Sequence, residues 1–153
     1  MTPLDALDAV AADVRDHTVT LDGTGLFTAM RHIDLLCHLT ARMAADAEYQ
    51  LAPNIADLPP ATTLAASTGQ LGQAIAHYTQ ALAPLVALTA TKHDTLGQRL
   101  DALRHHSSLR IHLQGAGRAL AAARTALEVQ QPRPSASPPA TAPQHGVTVR
   151  RRA

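Results

Sequence analysis

Nine histidines in a chain of 153 residues raise the question of metal binding first, because imidazole is the commonest side chain for holding transition metals. His32, Asp34 and His38 share one stretch. On a helix, Asp34 and His38 stand one turn apart and offer two ligands from one face. Asp101, His105, Ser108 and His112 form a second polar stripe wherever that segment is a continuous helix. A metal centre requires at least three of His32, Asp34, His38, His77, His93, His105 and His112 to converge. The recognisable ligand patterns are missing. There is no His-Glu-x-x-His and no Cys-x-x-Cys. Glu48 and Glu128 are the sole glutamates, so the Glu-x-x-His repeat of di-iron bundles cannot be written. The expectation is that the histidines are solvated or hydrogen-bonded surface groups, and no cofactor is expected.

Nucleophilic chemistry has less to work with. Cys37 precedes His38, but neighbouring helical residues point about 100° apart. Cys37 is expected to face a helical seam, where a thiolate would be desolvated. Ser107 and Ser108, beside His105 and His106, read as a helix cap. Gly23 and Gly25 have no strand before them and so make no phosphate loop. Arg104, Arg110, Arg118 and Arg124, together with Arg150, Arg151 and Arg152 at the end, could contact nucleic-acid phosphates. Aromatic residues for base stacking are only 2% of the chain, however. The terminal arginines then read as a solubilising tip.

The elements that would position these groups are helical. Alanine and leucine abound and β-branched, aromatic-rich runs are lacking. From Leu26 to Leu51 apolar or small residues recur at alternating intervals of four and three: Leu26, Met30, Ile33, Cys37, Thr40, Ala44, Ala47, Leu51. Such spacing is the seam of an amphipathic helix in a bundle. Thr2-Pro3-Leu4-Asp5 opens an earlier helix, with Thr2 as cap, Pro3 at the first position and Asp5 closing a capping box. It ends near His17, before a turn at Asp22-Gly23.

A third helix begins between Pro60 and Thr68 and carries Leu64, Thr68, Leu71, Ile75, Tyr78, Leu82 and Leu85. Gly69 and Gly72 would permit close helix approach there, and Pro84 should kink it. Thr89 to Thr95 reads as a turn. Beyond it, Leu96, Leu100 and Leu103 share one face, whereas Leu109, Leu113, Ala116, Leu120, Ala123 and Leu127 point nearly opposite. Either the helix breaks at His105–Ser108, with Ser107 or Ser108 capping a fifth helix, or it stays continuous and meets different neighbours along its length. Gly115 and Gly117 would again allow close packing. Thr40, Thr68 and Lys92 at seam positions would fix register.

Charge is segregated along the chain. Residues 1–60 hold nine acids and three arginines, net −6, while residues 104–153 hold eight arginines and one acid, net +7. Antiparallel pairing of early and late helices explains this. Arginine in place of lysine, twelve to one, reads as the codon usage of a GC-rich genome.

The expected fold is therefore all-α: an antiparallel bundle of four helices, or five, over residues 1–130, then a disordered Pro-rich tail over 131–153. The segment after Met1 is acidic and amphipathic, unlike a secretory signal, and no apolar run reaches membrane-spanning length. A cytoplasmic location and no membrane partner are expected. The function expected is that of a small non-enzymatic interaction protein working by helix–helix association, with a second copy or another protein. The alternatives are a His-rich metal-dependent bundle enzyme and a nucleic-acid accessory protein using the basic last third.

Overall fold

A computed structural model describes residues 1–50, 59–90 and 95–129. The tail over 131–153, Leu51 of the expected seam, Lys92 and His93 lie outside the described residues. The described residues form four α-helices: α1 (Pro3–Asp16), α2 (Gly23–Gln50), α3 (Ala61–Ala90) and α4 (Leu96–Glu128). No strand occurs among the described residues.

Local sequence sets the helix starts. Thr2 Oγ1 accepts from the Asp5 amide at 3.1 Å, and the Asp5 carboxylate accepts from the Thr2 amide at 2.8 Å, completing the capping box. Thr95 and Gln98 repeat the device at α4, at 3.2 and 2.9 Å. At α2, Asp22 Oδ1 accepts from the Gly25 amide at 2.9 Å and from Thr20 Oγ1 at 2.6 Å. These bonds, Thr20's first, hold the Asp22 carboxyl below its ordinary range. The turn folds back so tightly that a Cβ on Gly25 would collide with the Thr20 carbonyl.

Cross-helix contacts fix the topology. Ser67 on α3 meets Met43 on α2, and Tyr78 meets His32, so α2 and α3 run antiparallel. Ser67 also reaches Ala123 and His77 lies over Gly115, so α3 and α4 are antiparallel too. The short α1 packs on both α2 and α4, closing an up-and-down four-helix bundle. Leu7, Leu36, Met43, Leu64, Leu71, Leu85 and Leu127 fill the core and are fully buried.

Several expectations need correction. The buried line of α2 is Gly25, Ala29, His32, Leu36, Leu39 and Met43, one residue before the expected seam throughout. Met30, Cys37 and Ala44 are exposed. Helix α4 runs unbroken through His105–Ser108, so Ser107 and Ser108 cap nothing. A Cβ at Gly69, Gly72 or Gly117 would meet open space, so none of the three serves close packing. Gly115 does: the His77 ring sits within 2.5 Å of where its Cβ would be. Thr40 and Thr68 spend their hydroxyls on their own helices, donating to the Leu36 and Leu64 carbonyls at 2.7 Å. Ser67, by contrast, spends its buried hydroxyl between helices, donating to the Ala123 carbonyl of α4 at 3.1 Å.

Candidate interaction face

The polar candidates separate when placed on this frame. Asp34 and His38 do share a face, where His38 Nδ1 lies 3.4 Å from Asp34 Oδ1, but both are exposed to water. His32 lies on the opposite side of the same helix, fully buried. Its Nδ1 shares a 3.1 Å hydrogen bond with the Tyr78 hydroxyl, and the rings meet edge-on at 5.3 Å. Burial lowers the His32 pKa from its ordinary value, and the nearby Asp13 carboxylate partly offsets this. Burial likewise pushes Tyr78 up to about 12. His32 Nε2 and Asp13 Oδ2 are both buried without a hydrogen-bond partner among the described residues.

His77 and His112 do come together across the α3–α4 contact, ring centroids 6.0 Å apart. Asp101 instead pairs with Arg104 at 3.2 Å on the surface, and His105 joins no cluster. Among the described residues no three ligand-type side chains converge. Of the four arginines considered for phosphate contact, Arg124 is engaged internally. Its Nε lies 2.7 Å from Asp8 on α1 and its Nη1 2.6 Å from Glu128.

What the structure does assemble is an apolar face. Leu96, Leu100, Leu103 and Ile111 on α4 are 75, 51, 62 and 58% exposed. Their spacing, with Ser107 between the last two, places them on one line of the helix. The line lies on the side of α4 turned away from its buried residues, the side on which Gln114, Arg118 and Thr125 of the second half are exposed too. α1 has 14 residues and α4 has 33, spans of about 21 and about 50 Å. α1 lies beside the second half of α4, where Asp8 meets Arg124. The change of apolar face falls at His105–Ser108. Leu109, Ala116, Leu120, Ala123 and Leu127 beyond it are buried.

Two open grooves flank the line and share Leu103 and Ser107. The larger, about 650 Å³, has Val19 and Leu21 of the α1–α2 connection as one wall and Leu109 and Leu113 as its floor. Polar side chains along both grooves include Arg104, Arg110, His106 and His112, with no carboxylate among the lining residues. No described helix is long and apolar enough to cross a membrane. Comparison with protein-family models, with curated proteins and with solved structures finds no match for this chain.

Proposed function

We propose that this is a non-enzymatic interaction protein, a small bundle that works by laying the first half of α4 against an apolar helix. The observation that carries the reading is the line of Leu96, Leu100, Leu103 and Ile111, each more than half exposed, on a helix whose other half is core. Isolated exposed leucines are ordinary on a protein surface. Four on one line beside a groove form the kind of patch that marks a binding site. A second helix docked there would cover a line that the described helices of the bundle leave open to water.

A photoreactive residue at position 103 tests this in the cell that makes the protein. A discrete covalent adduct from position 103, with none from position 38 on the exposed face of α2, supports the reading. Adducts from neither position, or equal smears from both, overturn it.

A further inference from the structure

The chemistry around the exposed line narrows the occupant, and this inference rests on the reading just given. Arg104 and Arg110 flank Leu103 and Ser107 on α4, and both are exposed. Arg110 makes no ion pair among the described residues, and Arg104 has just the solvent-exposed Asp101 of its own helix. An exposed pair of that kind contributes little and yields to a better partner.

A second copy of the chain is a poor occupant. A two-fold axis through Ser107 sets Leu103 against Ile111 of the other copy, which is favourable. The same axis puts Arg104 and its copy on one flank of the seam and Arg110 and its copy on the other, with no carboxylate in the groove lining to relieve the repulsion on either side. A basic amphipathic helix meets the same repulsion. A helix with an apolar spine and acidic flanks satisfies both features: its spine covers Leu100, Leu103 and Ile111 while its carboxylates meet the two guanidinium groups.

We infer that the first half of α4 is a docking groove for an acidic amphipathic helix of a partner protein, with Leu103 as apolar centre and Arg104 and Arg110 setting the charge preference. The test uses the full chain and two synthetic helical peptides with the same leucine spine, one flanked by glutamates and the other by lysines. Binding is followed by fluorescence anisotropy at about 50 and about 300 mM salt.

The acidic peptide should bind roughly fivefold tighter than the basic one at low salt, with the gap closing at high salt. Arg104→Glu with Arg110→Glu should reverse the order. Leu103→Asp should weaken both peptides by roughly tenfold or more, with an unchanged melting curve because Leu103 is exposed. Equal binding of the two peptides, lost on Leu103→Asp, overturns the acidic partner and leaves the docking face standing. A dimer in sedimentation that Leu103→Asp disperses overturns it in favour of a second copy. Binding of neither peptide overturns it outright.

Discussion

At the scale of single residues, His32 and Tyr78 are the pair that most shapes the interior. Each stands in a core of leucine and alanine, where an unpaired polar atom costs far more than a paired one gains. Tyr78→Phe should therefore destabilise the fold by about 1–3 kcal/mol, because it leaves His32 Nδ1 buried and unpartnered. Tyr78→Phe combined with His32→Leu should cost less than the two single changes added together. Chemical denaturation of the four proteins in the cycle measures this.

The same burial predicts a pH dependence. The folded-state pKa of His32 lies below its ordinary value of 6.5, so the unfolded chain binds the more protons. Its contribution to stability is fully present above about 6.5 and is lost as pH falls through and below that value. Melting temperature followed from about pH 7.5 to about pH 5 should drop in the native protein and drop less in His32→Leu. An identical slope in both would count against this assignment. The sequence could not place His32 in the core. A lone imidazole reads as surface unless its hydrogen-bond partner is known, and Tyr78 lies 46 positions away.

At the scale of elements, the helices were legible because capping and period are local. Thr2, Pro3 and Asp5 announce α1 from adjacent positions. Rotation about the helix axis was not legible in α2. Its apolar arc is wide, and preferring Met30 and Cys37 to His32 turned the expected seam by one residue, or about 100°. Which of the two apolar faces of α4 is covered was likewise hidden, because it depends on the side on which α1 and α3 pack. Even so, the reversal of apolar face at His105–Ser108 was legible.

Glycines give a direct test at this scale. Gly72→Ala, on an exposed face with open space around it, should stabilise the protein by about 1 kcal/mol. Gly25→Ala should destabilise it by more than about 1 kcal/mol, because the Thr20 carbonyl occupies the place of the new methyl. Thermal melts of the two variants should move in opposite directions.

At the scale of the whole molecule, the segregation of charge along the chain is partly an internal matter. Arg31 on α2 reaches Asp13 of α1 at 2.5 Å, and Arg124 on α4 reaches Asp8 of α1. The acidic first helix is thus held between arginines of two others. The surplus of positive charge that remains toward the start of α4 lies beside the uncovered leucines. Most pairings join neighbours in sequence, and the α1–α4 contact is the one closure between the two ends. Arg124→Ala should loosen that closure. Amides of α1 should exchange with deuterium faster than in the native protein while those in the middle of α3 and α4 do not change.

Pro84 adds a consequence of its own. It lies inside α3 and is buried, and it has no amide hydrogen to give the Gln80 carbonyl. The ladder of α3 is therefore missing a rung just before Leu85–Ala90. Beyond the gap, Leu85 and Leu88 are buried in the core. With one backbone bond fewer, the last turns of α3 lean more heavily on those two side chains than the turns before Pro84 lean on theirs.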